Sequence, residues 1–221
     1  MKGLFITGTD TNVGKTYIAC QIASELHSRG INVTPRKPIE TGCELINKSL
    51  HPSDANLLLK ASNSNTSLDD VCPYRFSPAI SPQLAAQQSN QIVRISDLVS
   101  ACTNNIEKES FLIVEGAGGF YSPICQNALN SDLARELDLP VLIVVENRLG
   151  SINQALLTIK AVENNNLKIS SVILNSTSPI KQNSLINNLS ELQGFTNHMV
   201  IHVPFNKPID AQYYQQLFKF Q

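Results

Sequence analysis

The chain has almost no excess of charge: 17 basic and 18 acidic residues leave a formal net charge of −1. That removes any global electrostatic case for nucleic acid or an anionic membrane as partner. Long apolar runs are missing as well. No stretch approaches the roughly 20 residues that a membrane helix needs. The run Gly3 to Thr7 after Met1-Lys2 is broken by Gly8 and Asp10, too early for a secretory leader. Cysteines are few and scattered: Cys20, Cys43, Cys72, Cys102 and Cys125 are odd in number and include no CxxC pair. Neither a zinc site nor a redox motif is supported, and a reducing, cytoplasmic setting is expected. Internal repeats and a domain linker are also absent. With 221 residues, 42% apolar and 16% charged, the chain is expected to form one α/β domain over 1–221.

What is present is an alternation of strand-like and helix-like segments. Leu4-Phe5-Ile6 reads as a short buried strand, and Gly14 to Arg29 as a helix with Ile18, Ile22 and Leu26 on one face and Gly30 as its stop. Ile31 to Lys37 reads as a second strand despite Pro35. Pro52-Ser53-Asp54 opens a helix running through Leu59. The polar stretch Asn63 to Ser81, with two prolines, reads as a long loop. Helices are expected near Pro82–Gln88, Ile95–Glu107 and Leu133–Leu137. Phe111 to Val114, Val141 to Val145, Ser171 to Leu174 and Ile201 to Val203 read as strands, and Asn164-Asn165-Asn166 as a surface turn. The apolar runs are continuous, which suits parallel strands covered on both faces. The predicted fold is a doubly wound, mostly parallel sheet with helices on both faces.

Between the first strand and first helix lies Gly8-Thr9-Asp10-Thr11-Asn12-Val13-Gly14-Lys15-Thr16. Five residues separate Gly8 from Gly14, one more than in GxxxxGK[ST], so this is a longer variant of the phosphate loop. Asn12, Val13 and Gly14 offer backbone to phosphate at a helix N-terminus. Lys15 can reach β/γ oxygens, and the Thr16 hydroxyl can serve Mg²⁺.

Glu115 is expected to end an apolar strand just before Gly116-Ala117-Gly118-Gly119. An acid at the ligand edge of an α/β sheet can hold Mg²⁺ directly or through water, and the glycines allow close backbone approach. The plainer reading is a strand-end acid before a flexible turn. Asp54 lies in the first turn of a helix, where the dipole favours acids whatever their function.

Several segments together resemble the dethiobiotin synthetase family. They are Gly8-Thr9-Asp10-Thr11 with Gly14-Lys15-Thr16, Lys37-Pro38-Ile39-Glu40-Thr41-Gly42, Ser53-Asp54-Ala55, Ser81-Pro82, Val114-Glu115-Gly116-Ala117-Gly118-Gly119, and Leu149-Gly150-Ser151-Ile152-Asn153. The resemblance implies a P-loop ligase that closes a ureido ring from 7,8-diaminononanoate, CO₂ and ATP, giving dethiobiotin, ADP and phosphate. It implies that Lys37 and Lys15 are catalytic and that Thr16, Asp54 and Glu115 hold Mg²⁺. ATP would meet Asn12 to Thr16, Asp54, Glu115, Gly116, Ala117 and Gly118. Asn175, Ser176, Pro204, Phe205 and Asn206 would lie around adenine. Thr41 falls where serine is frequent in the family, and keeps a hydroxyl for the substrate. Gly150, Ser151, Ile152 and Asn153 would hold the substrate's carboxylate tail across the two-fold axis of a homodimer. Without the family, Lys37 reads as a solvated lysine before a proline, and Ser151 as an N-cap candidate. The chain departs from the family pattern at Gln154, where histidine is common, and at Ala211, where some members use a glutamate.

The competing reading is a partner-regulated ATPase switch of the ParA/MinD type. Such proteins carry a second lysine five residues before the P-loop lysine, and Asp10 occupies that position here.

Overall fold

A computed structural model describes residues 2–179 and 187–218. Six strands form the central sheet: β1 (Gly3–Gly8), β2 (Val33–Arg36), β3 (Phe111–Gly119), β4 (Val141–Glu146), β5 (Ile169–Asn175) and β6 (Val200–Val203). Every neighbouring pair is parallel, in the order β6-β5-β4-β1-β3-β2. The continuous apolar runs therefore become strands buried on both sides. Leu4 and Ile6 of β1 enter one apolar cluster and Phe5, between them, enters the other.

Helices cover both faces. They are α1 (Lys15–Ser28), α2 (Ser53–Ser62), α3 (Pro82–Gln88), α4 (Ile95–Thr103), α5 (Asn130–Leu137), α6 (Ser151–Asn164), α7 (Asn188–Gln193) and α8 (Ala211–Leu217). Ile18, Ile22 and Leu26 of α1 pack on Leu4 and Ile6, while Leu133 of α5 and Ile159 of α6 share the cluster of Phe5. Burying each such side chain contributes about 1.5–3 kcal/mol. From β1 the chain moves to the β2 edge and returns through β3. It then crosses to β4, β5 and β6 on the other side. That reversal places the carboxyl end of β1 at the topological switch point, where open α/β sheets bind ligands. Among the described residues no helix is long and apolar enough to cross a membrane.

Several expectations are corrected. The stretch Asn63 to Ser81 is not a plain loop: it holds a helical turn, Leu68–Val71, and a strand, Tyr74–Phe76, paired in parallel with Ile39–Thr41. A hairpin, Glu44–Ile46 with Ser49–His51, turns through Asn47 and Lys48, both at positive φ. Glu115 does not end its strand, because β3 continues through the glycines until Gly119 pairs with Gly8. The cap of α6 is Gly150, at φ 87°, and Ser151 is the first helical residue. Pro35 lies inside β2, which is tolerated because β2 is an edge strand.

Arg36 is fully buried and has no carboxylate partner among the described residues. Its guanidinium donates to the carbonyls of Pro35 at 2.9 Å, Ala101 at 3.0 Å and Asn104 at 2.8 Å. Two of these lie at the C-terminal end of α4, where carbonyls lack helical partners and the dipole favours a cation. Arg36→Ala should lower the unfolding free energy by about 3 kcal/mol, because it strands buried carbonyls. Arg36→Lys should recover only part, lacking the planar fork. Urea denaturation checks both, and a loss within 0.5 kcal/mol or so for Arg36→Ala would contradict the assignment.

Candidate active site

The loop between β1 and α1 closes tightly because Gly14 stands at φ 92°, a conformation costly for other residues. A Cβ there would also fall 2.1 Å from Asn175 Nδ2. Asn175 reaches in from the end of β5, and its Nδ2 donates to the Val13 carbonyl at 2.9 Å. One N–H of the Asn175 amide is thus spent on the phosphate loop, while Oδ1 is buried and unpartnered among the described residues. One amide N–H of Asn175 and its Oδ1 remain for another partner.

Lys15 arches back over the loop, and its Nζ donates to the Asp10 carbonyl at 2.7 Å. Burial lowers its pKa to about 8, helped by the charge of Lys37 and opposed by Glu115, Asp54 and Asp10. Behind the loop the polar groups form a chain. Thr16 Oγ1 donates to Glu115 Oε1 at 2.8 Å, and Lys37 Nζ donates to the same oxygen at 2.7 Å. Lys37 Nζ also lies 3.3 Å from Asp54 Oδ2 and 3.4 Å from the Gly116 carbonyl. Burial pulls the Lys37 pKa down, but Glu115 and Asp54 outweigh it and hold the ammonium above the usual lysine range. Lys37 is therefore not the solvated lysine that its sequence context suggested.

The cleft above this chain of groups measures about 500 Å³. Asn12, Lys15, Lys37, Thr41, Asp54, Ala117 and Gly118 all line it. Thr16 and Glu115 lie beneath it, joined to Lys37. Gly150, Ser151, Ile152 and Asn153 do not line the cleft of their own chain, and neither do Ser176, Pro204, Phe205 and Asn206. Ser176 is bonded to His202 at 3.0 Å, and Pro204, Phe205 and Asn206 are exposed after β6. The loop beyond them is fixed to α1, with Tyr17 and Gln21 donating to the Lys207 carbonyl.

The residues present fit a magnesium ion. Glu115 Oε2 is buried with no hydrogen-bond partner, a costly state for a carboxylate oxygen unless a cation or its water is near. The described residues contain no cluster of three or more His, Cys, Asp or Glu side chains suited to a metal. One hydroxyl and two acids suit Mg²⁺, which keeps waters and takes phosphate oxygens as further ligands. Cysteine chemistry does not compete: burial pushes Cys20 and Cys102 up to about 12 and Cys43 and Cys125 up to about 11, so these thiols stay protonated.

Two residues at the site escaped the sequence reading of roles. Asn130, fully buried at the start of α5, holds the glycine segment of β3: its Oδ1 accepts from Ala117 N at 3.1 Å, and its Nδ2 donates to the carbonyls of Ala117 and Gly119. A Cβ on Gly116 would lie 2.7 Å from Asn130 Oδ1. Glu40 is buried and binds the start of α2. An asparagine opening a helix and an acid in a β segment are weak local signals, and the partners of both lie far off in sequence.

A strand, a GKT loop opening a helix, and an acid on the adjacent parallel strand define a P-loop nucleotide-binding protein. Comparison with known proteins agrees and narrows this. A family model described as an AAA domain matches residues 2–212. The chain is 47% identical over 179 residues to an ATP-dependent dethiobiotin synthetase of Ruthia magnifica subsp. Calyptogena magnifica, covering 81% of this chain and 82% of that one. It is 42% identical over 201 residues to that of Vesicomyosocius okutanii subsp. Calyptogena okutanii, covering 91% and 89%. For Aeromonas salmonicida the identity is 36% over 219 residues, covering 96% and 94%. The chain is an enzyme of the ATP-dependent dethiobiotin synthetase family. Among solved structures, a chain of the MinC:MinD cell division protein complex of Aquifex aeolicus superposes with TM-score 0.56 at 15% identity, covering 99% and 86%. A ParA family ATPase of Chlorobium tepidum gives 0.53 at 18%, covering 98% and 89%. At such identities the likeness is one of fold.

The lowered pKa of Lys15 has a measurable consequence. If Lys15 serves phosphate, only its charged form would pair, and that form is already present below about pH 8. Above that, binding must take up a proton, so affinity falls by up to about tenfold per pH unit. Metal-free ADP titrations in EDTA should show this weakening above pH 8 with proton uptake, and Lys15→Arg should flatten it. A pH-independent affinity in the native protein would refute the assignment.

Proposed function

We propose that this enzyme closes a ureido ring, converting 7,8-diaminononanoate, CO₂ and ATP, with Mg²⁺, into dethiobiotin, ADP and phosphate. The carrying observation is the chain Thr16–Glu115–Lys37–Asp54 beneath a cleft walled by the phosphate loop. The family membership supports the substrate assignment. The geometry alone supports ATP-dependent transfer, without specifying the acceptor.

In this reading one substrate amine adds to CO₂ and loses a proton to give a carbamate. A carbamate oxygen attacks the γ-phosphorus, the bond to the bridging oxygen breaks, and ADP leaves. The second amine then attacks the carbonyl carbon of the mixed anhydride, and phosphate departs as the ring closes. These steps need positioning and charge neutralisation more than a protein nucleophile. Lys15 reaches the β/γ oxygens once phosphate replaces the Asp10 carbonyl as its partner. Lys37, held cationic by its acids, is unsuited to be a base at neutral pH and acts as a fixed charge beside the carbamate and the transferring group. Thr16, Asp54 and Glu115 hold Mg²⁺, which when bound neutralises charge on the phosphate oxygens. Thr41 lines the cleft, and its hydroxyl serves the substrate in this reading. Asn175, with one amide N–H used on the phosphate loop, keeps an unpartnered Oδ1 that suits the exocyclic amine of adenine. Ser176, Pro204, Phe205 and Asn206 complete that end.

Gly150, Ser151, Ile152 and Asn153 open α6 with backbone N–H groups suited to a carboxylate. They lie outside the cleft of their own chain, which is consistent with service to the partner subunit of a homodimer. A ParA/MinD-like switch is not favoured. Asp10 stands at the signature position, and Lys15 of the same chain bonds to its carbonyl.

Lys37→Gln should lower kcat by about 10²-fold or more, with metal-free ADP affinity little changed. Removing one partner of a buried pair also costs about 3–5 kcal/mol of stability, so circular dichroism must accompany the assay. An unchanged kcat in the folded variant would exclude Lys37 from the chemistry. Glu115→Gln and Thr16→Ala should likewise lose turnover that saturating Mg²⁺ does not restore, and near-normal turnover in Glu115→Gln would sink the metal assignment.

The shared site is tested by mixing two weak variants, Lys37→Gln and Asn153→Asp. Subunit exchange should create one intact site per hybrid dimer and recover activity. An aspartate at 153 repels the substrate carboxylate, so alone it should act mainly on diamine KM. No recovery despite demonstrated exchange would assign the whole site to one chain.

A further inference from the structure

Glu40 belongs to the short strand Ile39–Thr41, three residues beyond Lys37, and its carboxylate is spent on another element. Oε1 accepts from the Asp54 N–H at 3.0 Å and lies 3.3 Å from Ser53 Oγ, while Oε2 accepts from the Ala55 N–H at 2.9 Å. Helix α2 begins at Ser53, and the residue at its cap position is Pro52, whose side chain caps nothing. Its first N–H groups would otherwise be orphans. Glu40 supplies the missing cap from outside the helix, 4% exposed and aligned with the positive end of the dipole.

We infer that Glu40 is a positioning residue: its carboxylate ties the first turn of α2 to the segment carrying Lys37, and thereby fixes Asp54 over the cleft. Asp54 needs such a device. Its side chain is 41% exposed, and its bond to Lys37 is long at 3.3 Å. Its own contacts do not place it; its backbone does, and that backbone hangs on Glu40. Glutamine cannot substitute cleanly. One end of its amide is a donor and would face either the Asp54 or the Ala55 N–H. Aspartate is one methylene too short to keep both bonds.

The inference rests on the reading of Asp54 as part of the magnesium shell, and the experiment separates the two. Mn²⁺ is titrated into the protein–ADP complex and followed by electron paramagnetic resonance, alongside metal-free ADP affinity and Tm. Glu40→Gln should weaken Mn²⁺ by about tenfold or more, the usual size when a partner behind a metal ligand is lost. Metal-free ADP affinity should stay within about twofold. The decisive variant is Glu40→Gln combined with Pro52→Asp, which gives α2 a local cap for the same N–H groups. It should restore Tm but not Mn²⁺ affinity, because a local cap rebuilds the helix end without the tether to Lys37. Recovery of Mn²⁺ affinity together with Tm would reduce Glu40 to a helix cap and overturn the inference. So would native Mn²⁺ affinity in Glu40→Gln beside a weakened Asp54→Asn. Native affinity in Asp54→Asn itself would remove the metal role of Asp54 and this inference with it.

Discussion

The site is organised around one buried ion pair, Lys37 with Glu115 at 2.7 Å. Taking either charge from water alone would cost several kcal/mol, so each requires the other. The sheet delivers both by register. Arg36, the last residue of β2, pairs with Val114 of β3, so Lys37, just past that strand, and Glu115 of β3 arrive at the same level. β1 lies on the other side of β3, with Ile6 beside Glu115, and two residues later it opens the phosphate loop. The strand order is thus what puts a cation, an anion and a phosphate-binding helix start within a few ångströms.

The two lysines show how neighbours decide what burial does. Both are nearly inaccessible, 7% exposed for Lys15 and 4% for Lys37. Among the described residues Lys15 has only a backbone carbonyl as hydrogen-bond partner, and burial together with the like charge of Lys37 loosens its proton. Lys37 has two carboxylates and keeps its proton firmly. One cation is therefore neutralised within the protein, while the other has no carboxylate in hydrogen-bond contact among the described residues.

Much of the sheet was legible because its strands are continuous apolar runs, a pattern that burial on both faces demands. The phosphate loop was legible because its glycine, lysine and hydroxyl act through local backbone. The rest depends on partners distant in sequence. Tyr74–Phe76 is three residues long, stands between two prolines, and becomes a strand only by pairing with Ile39–Thr41. The continuation of β3 through Gly116 to Gly119 was hidden because glycine has little strand preference of its own; Asn130 and the end of β1 hold it in place, with an irregular register and Gly118 at positive φ. The hairpin at 44–51 did carry a signal, an asparagine able to take the left-handed conformation at Asn47. Glu40 was visible as part of a motif, but its work was not, since the N–H groups it binds begin fourteen residues later.

The two margins of the sheet bear on how the protein behaves when crowded. β2 and β6, the outermost strands, are four residues each. A sheet margin is a template on which a foreign chain can add itself, and long flat margins invite filament growth. Four residues give an incoming chain little purchase, and in β2 one of them is Pro35, which has no N–H to offer. The proline that made this strand hard to read thus helps keep the folded enzyme from seeding aggregation during synthesis, when many copies share a small volume.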